Sequence, residues 1–464
     1  MAKKRTAVLV IHGMGEQLPM KTLTGFVDAA WTCDDELVPA GKKQLFSKPD
    51  RMTGGFELRR LTTRTSPELG RRVDFFEFYW AHLMSGNTVS SVVSWLASLL
   101  VRRPSSVPRR LVKLWLLGLG FFLVALALFL LNLVPEDWRP GDIDPRIWAA
   151  AAAAVAIGGF VLAQFVAPIA GDAARYLTPK PPNIGARQAI REAGVDLLRQ
   201  LHECDQYDRI IVASHSLGTV VGYDILTHGW ARIDENDLAG AHPPGGLAAR
   251  ALERVEAAAI ALRKAKNNGI GAARIAYRDA QRAYSRALAE PEGGGRPAWL
   301  VSDFVTMGSP LSKADVLLAY VPRLWRALKE RREAPSSPPW MEKQKQGPDS
   351  FSYPWNGARI PDHASMFAPT VWTNVFYDNP GLAAGDLIAG PVAPVLGRGI
   401  VDVRVKSGWP SFRHTSYWKN PSETPARPSI RALRKALNLR GDAEEAVWGA
   451  QVGRDVVRAE ELAG

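Results

Sequence analysis

Cysteine is nearly absent: Cys33 and Cys204 are the two in 464 residues. That excludes a disulfide framework and a cysteine-built zinc site, and it suits a reducing compartment. Phosphate-loop chemistry is missing too. Gly13 and Gly15 are followed neither by Gly-Lys-Ser/Thr nor by a third glycine at dinucleotide-loop spacing. A secretory leader is not expected, because the basic start runs into an apolar stretch, Ala7 to Ile11, that is too short for one. Nor is there an acidic excess: 58 Lys and Arg face 46 Asp and Glu, a net charge of +12. A basic balance fits nucleic acid or the inner face of a membrane. No nucleic-acid-binding motif appears, and basic residues crowd beside an apolar run, so nucleic acid is not an expected partner. The apolar share of 47% places the chain among globular proteins.

What is present centres on Arg209 to Leu226, RIIVASHSLGTVVGYDIL. The first five residues are an apolar, β-branched run of strand length. Ser214-His215-Ser216-Leu217-Gly218 reads as a tight turn, and Thr219 onward as a helix packing back on a sheet. A serine at the apex of a strand-to-helix turn, with small residues two places either side, has its hydroxyl exposed for nucleophilic attack. The usual first glycine is here Ser214, the next smallest residue that fits. The plain alternative is an ordinary βα turn with a capping serine.

A second strand and turn lie near the start of the chain. Ala7 to Ile11 leads into His12-Gly13-Met14-Gly15. A strand ending in His-Gly suits an oxyanion hole, in which backbone N–H groups meet developing negative charge. Met14 and Leu217 are the expected donors, with His12, Gly13, His215 and Gly218 as supporting motif residues.

Further strands are expected at Phe56 to Thr62, Val73 to Trp80, Asp303 to Met307, Val371 to Tyr377 and Ile400 to Val405. A helix is expected over Arg187 to His202. A nucleophilic serine needs a histidine base and a carboxylate to orient it. His414, after the last strand, is the expected base, with His363 as its competitor. Asp378, closer to its strand end, and Asp386 both follow the Val371 strand and are both candidates for the acid. No metal or cofactor is implied.

Leu114 to Val134 carries no charge over about 20 residues, the length that crosses a bilayer core. Ile147 to Ala170 is a second uncharged run, rich in small residues suited to close helix packing. Arg102, Arg103, Arg109, Arg110 and Lys113 precede the pair, and acids fill the loop between, so both flanks are expected in the cytoplasm. Val92 to Val101 suits a further membrane-lying helix or core. Residues 236–298 turn to Ala, Arg and Glu. Leu252, Val255, Ala259 and Leu262 repeat at helical spacing, as do Ala273, Tyr277, Ala280 and Tyr284. They predict a helical hairpin inserted in the core, with a solvated charged face. Pro335 to Pro354 is a Pro/Ser-rich loop with the makings of a lid.

The blocks VLVIHGMGEQ, ASHSLGT, TMGSPL, WTNVFY with GDLIAGP, and HTSYW together resemble the α/β-hydrolase superfamily. In particular they resemble a bacterial group of membrane-anchored, lipase- or esterase-like members. The resemblance spans residue 5 to about 420, outside the uncharged runs and the helical insertion. It implies an α/β fold, a mostly parallel sheet with helices on both faces, and Asp386 as the acid. The expected triad is Ser216, Asp386 and His414, with Asp378 as the alternative acid.

The expected organisation follows. Residues 1–110 begin the core, 111–172 form a transmembrane hairpin with spans about 114–134 and 147–170, and 183–235 carry the nucleophile turn. Residues 236–298 are the insertion, 299–424 complete the core, and 425–464 are a helical tail. The expected protein is a multi-pass inner-membrane serine hydrolase with its catalytic domain in the cytoplasm. It would cleave a carboxylic ester, of a lipid or acylated substrate, through an acyl-serine. An acyltransferase using the same triad, or a non-catalytic membrane scaffold or effector keeping the fold, are the alternatives.

Overall fold

Every apolar run that reads as a strand enters one twisted sheet. The computed structural model describes Arg5 to Ala459 with breaks, the largest at 85–100, 134–152, 154–172 and 449–455. The strands are β1 (Arg5–Ile11), β2 (Leu45–Pro49), β3 (Arg59–Thr63), β4 (Arg72–Phe78), β5 (Arg209–His215) and β6 (Val301–Met307). They continue with β7 (Ser352–Trp355), β8 (Ala358–Pro361), β9 (Val371–Tyr377), β10 (Ala384–Gly385), β11 (Val401–Val405), β12 (Ser411–Phe412) and β13 (Val457–Arg458). The main sheet runs β13-β11-β9-β6-β5-β1-β4-β3-β2. All neighbours from β13 to β4 are parallel, and β3 and β2 close one edge antiparallel. The small pairs β7–β8 and β10–β12 stand apart from it.

Parallel strands are covered on both faces, so they read as continuous apolar runs. In β1, Ala7, Leu9 and Ile11 enter one core cluster, while Val8 and Val10 enter the other. The first face carries α3 (Pro181–Glu203) and α4 (Gly218–Trp230). The second carries α1 (Lys21–Val27) and α7 (Pro428–Leu437). Helices on both faces of a mostly parallel sheet make this an α/β fold, as expected. Val112–Leu133 forms α2.

The helical hairpin is present, as α5 (Leu247–Lys264) and α6 (Gly269–Ala289). Leu252, Val255, Ala259 and Leu262 are buried as the spacing predicts, and so are Tyr277 and Tyr284. The charged face is solvated only in part: Arg250, Glu253, Arg254, Arg263 and Arg286 are exposed as expected, but one row of arginines is not. Arg274, Arg278 and Arg282 lie four apart on one helix face, and that face turns inward. Arg278 is buried and meets Glu445 at 2.5 Å and the Trp372 carbonyl at 2.7 Å. Arg282 bonds Asp303 and Glu445. These cations tie α6 to the starts of β6 and β9 and to the C-terminal segment. The tail is helical at α7, but it also returns to the sheet as β13.

One further expectation changes, and another falls largely outside the described residues. Pro335 to Pro354 is no lid at its ends: Ser336, Ser337, Met341 and Phe351 are buried. The Tyr223 hydroxyl donates to the Pro335 carbonyl at 2.7 Å, and Gly399 N–H donates to Ser337 O. The transmembrane hairpin is also not part of the described fold. Among the described residues, no helix is long and apolar enough to cross a membrane. Only part of α2 has described side chains, and of Ile147 to Ala170 only Ala153 is described. Val92 to Val101 lies outside the described residues but for Val101.

Candidate active site

The parallel strands end on one edge of the sheet, and the expected functional residues gather there. β5 delivers Ser216 at the turn into α4. Its φ of 54° is in the left-handed region that side chains rarely adopt, a strain that a nucleophile turn requires. Its N–H is held by the Met307 carbonyl at 2.9 Å, at the end of β6. The turn survives because Gly218 presses on the neighbouring strand. A Cβ there would stand 2.2 Å from the His12 carbonyl oxygen. Ser214 replaces the other small residue without blocking the turn. Its hydroxyl fits where a Cβ on Gly222 would come within 2.6 Å, so Gly222 makes the room. That hydroxyl is buried and has no hydrogen-bond partner among the described residues.

The three expected triad residues meet. His414 Nε2 lies 2.8 Å from Ser216 Oγ. His414 Nδ1 lies 2.9 Å and 3.0 Å from the two Asp386 oxygens. A carboxylate accepts, so Nδ1 carries the proton, and Nε2 is free to accept from the Ser216 hydroxyl. Asp386 also accepts from the Tyr417 hydroxyl at 2.8 Å and from the Ile388 and Ala389 N–H groups. Burial works to raise this carboxyl; the bonds from His414, Tyr417 and Ala389 outweigh it and hold it below its ordinary value. The acid is therefore ionised at neutral pH.

The competitors stand elsewhere. Asp378 accepts from Ser407 N–H at 2.7 Å and Ser407 hydroxyl at 2.9 Å, which fastens the end of β9 to the chain beyond β11. His363 is exposed in the turn after β8.

The loop after β1 lies against the nucleophile. His12 is buried and stacks on Trp80, with ring centroids 5.1 Å apart. Trp80 N–H donates to His12 Nε2 at 3.0 Å, so Nδ1 carries the proton and donates to the Gly13 carbonyl at 2.8 Å. Burial pushes the His12 pKa down to about 4, which keeps the ring neutral and this tautomer in place. With the Gly13 carbonyl fixed, the Met14 N–H on the same trans peptide points the opposite way. Leu217 is the N-cap of α4, and its N–H belongs to the helix-end donors that no intrahelical carbonyl takes. The expected oxyanion donors thus flank Ser216 from the next residue and from the adjoining loop.

Several supporting contacts were not in the sequence reading. Asn374 in the Trp-Thr-Asn strand donates to Gly390 O and to Asp402. Asp402 also takes the Val392 and Ala393 N–H groups, so these two residues frame the loop that carries Asp386. Thr219 and Ser309 share a hydrogen bond of 2.7 Å beneath the nucleophile turn. The blocks WTN, GSPL and ASHSLGT contained Asn374, Ser309 and Thr219, and Asp402 lies in none of them; the partners that join them lie far away in sequence. Among the described residues, no cluster of three or more His, Cys, Asp or Glu is placed to hold a metal ion. No family model, curated protein or solved structure matches the chain.

Proposed function

We propose that this protein is a serine hydrolase of the α/β-hydrolase kind, cleaving a carboxylic ester through an acyl-Ser216 intermediate. The observation that carries this is the unbroken chain of hydrogen bonds from Asp386 through His414 to Ser216. His414 takes the hydroxyl proton as Ser216 Oγ attacks the ester carbonyl carbon. The carbonyl oxygen becomes an anion, met by the N–H groups of Met14 and Leu217. As the tetrahedral intermediate collapses, the ester C–O bond breaks and His414 gives its proton to the departing alcohol. Water then repeats the sequence on the acyl-enzyme, releasing the acid and restoring Ser216. Asp386 holds the ring's tautomer and balances its transient charge.

A place at the cytoplasmic face of a membrane, with a lipid or acylated substrate, belongs to the same reading. Its support is the uncharged sequence from Leu114 to Val134, together with exposed Leu116, Leu123, Val124 and Leu126 on α2. Exposed contiguous apolar surface on a helix is a mark of contact with lipid or protein. Floating the full chain with liposomes tests it: an α2 carrying charges at Leu123 and Val124 should stay at the bottom of the gradient.

The enzymatic claim is tested with p-nitrophenyl esters of short and long acyl chains. Wild type should release p-nitrophenolate, and Ser216→Ala should lose at least ~1,000-fold. Equal rates for the two proteins would remove the nucleophile from the reading.

A further inference from the structure

The residue before the nucleophile has no part in the proton relay, yet two loops close on it. His215 Nε2 lies 2.8 Å from the backbone carbonyl oxygen of His414. A carbonyl only accepts, so Nε2 is the protonated nitrogen of this ring. Its Nδ1 faces the loop after β1, where a Cβ on Gly13 would come within 3.2 Å. The His215 ring also packs against those of His414, Tyr417 and Trp418, with centroids 5.1, 5.7 and 5.0 Å away.

We infer that His215 is a positioning residue: by donating to the His414 carbonyl it sets where that imidazole stands relative to Ser216. The inference rests on the proposed roles of Ser216 and His414. It follows from how few links close the ring of contacts. His215 and Ser216 are neighbours at the rigid end of β5. His215 grips the backbone of His414, and the side chain of His414 reaches back to Ser216. His414 sits on a loop after the two-residue strand β12, tied on one side by Arg413 N–H to the Gly385 carbonyl and on the other by the Tyr377 hydroxyl to the Ser416 carbonyl, while His215 holds the carbonyl of His414 itself. A misplacement of 1 Å in such a constellation costs about 100-fold in rate.

The ring must also stay uncharged. Burial first, and then the neighbouring His414 ring, push the His215 pKa down to about 3. Against them, the bond to the His414 carbonyl and then Asp386 raise it, while His12 lowers it further; Tyr417 faces it as a neutral phenol. A second cation here would oppose the imidazolium that His414 becomes during the reaction.

Two variants of the full chain test this: His215→Leu, which keeps bulk without a donor, and His215→Gln, whose amide reaches about as far as Nε2. The readout is the second-order rate at which a fluorophosphonate labels Ser216, from pH 5 to 9, beside the thermal midpoint. His215→Leu should label at least ~10-fold more slowly. His215→Gln should recover most of the rate, and its pH profile should overlay that of wild type, since His215 does not titrate in this range. Should His215→Leu not fold, the rate and profile of His215→Gln carry the test alone. The inference is overturned if His215→Leu labels like wild type, if His215→Gln gives no rescue, or if it shifts the profile. A wild type that does not label at all would instead overturn the proposed function, and this inference with it.

Discussion

Gly13 and Ser216 stand so close that a Cβ on Gly13 would lie 2.8 Å from the Ser216 Cβ and 3.4 Å from its Oγ. Two parallel strands, β1 and β5, bring them together. The loop that carries one expected oxyanion donor therefore rests directly on the nucleophile.

Two glycine substitutions should separate chemistry from folding. Gly13→Ala sets its methyl 2.8 Å from the Ser216 Cβ, which the backbone fixes, so it should displace the serine and cut esterase activity by about 100-fold. Gly218→Ala drives its methyl into the His12 carbonyl oxygen, which is backbone and cannot rotate away. It should cost about 1–3 kcal/mol or more in stability. Activity measured beside urea unfolding checks both.

The two aspartates after β9 should behave differently. Asp386→Asn leaves His414 without its ionised partner and should lower kcat about 10,000-fold at neutral pH with little change in KM. Asp378→Asn weakens the tie to Ser407 and should lower the melting point while leaving kcat within a few-fold of wild type. A reversal of these outcomes would make Asp378 the acid.

Ser214 holds a hydroxyl with no partner among the described residues in a buried place. Ser214→Ala removes that group and keeps the small size the turn needs. It should be neutral or stabilise by up to about 1 kcal/mol, with activity unchanged. Chemical denaturation of the two proteins measures it.

Glu77 gives stability a pH signature. It is buried in β4, its Oε2 takes the Met20 N–H at 2.6 Å, and its Oε1 has no partner among the described residues. Burial raises its pKa from 4.5 to about 7. The unfolded carboxyl therefore ionises first, and stability from this group is lost as pH rises from about 4.5 to about 7. Glu77→Gln escapes that loss. Its melting point relative to wild type should climb between pH 5 and pH 8, and parallel curves would contradict the argument.

The central fold was legible because β1, β5, β6, β9 and β11 are covered on both faces and so read as unbroken apolar runs. Ser216 and His414 were legible for the same reason, since strand ends place them; strand position left Asp378 and Asp386 both open, and the resemblance alone favoured Asp386. The antiparallel edge was not. Leu45–Pro49 is largely exposed, so β2 carries no apolar signal. The buried face of α6 was also hidden. Arg278 and Arg282 look like solvent-facing charges until Glu445, 167 and 163 residues away, is brought beside them. Tyr417 escaped, and His215 was legible only as a motif residue, because their partners, Asp386 and the His414 carbonyl, are set by loop packing rather than by any local pattern. The apolar run from Leu114 was read by hydropathy alone. That predicts a helix, which α2 is, while the expected second span lies outside the described residues but for Ala153.

The central claim is that His414 activates Ser216 as a nucleophile. Mass spectrometry of the full-length chain after fluorophosphonate treatment tests it most directly. One adduct is expected, on the peptide carrying Ser216, absent in Ser216→Ala and formed far more slowly in His414→Asn. An unmodified wild-type chain, or an adduct that persists in Ser216→Ala, would contradict it.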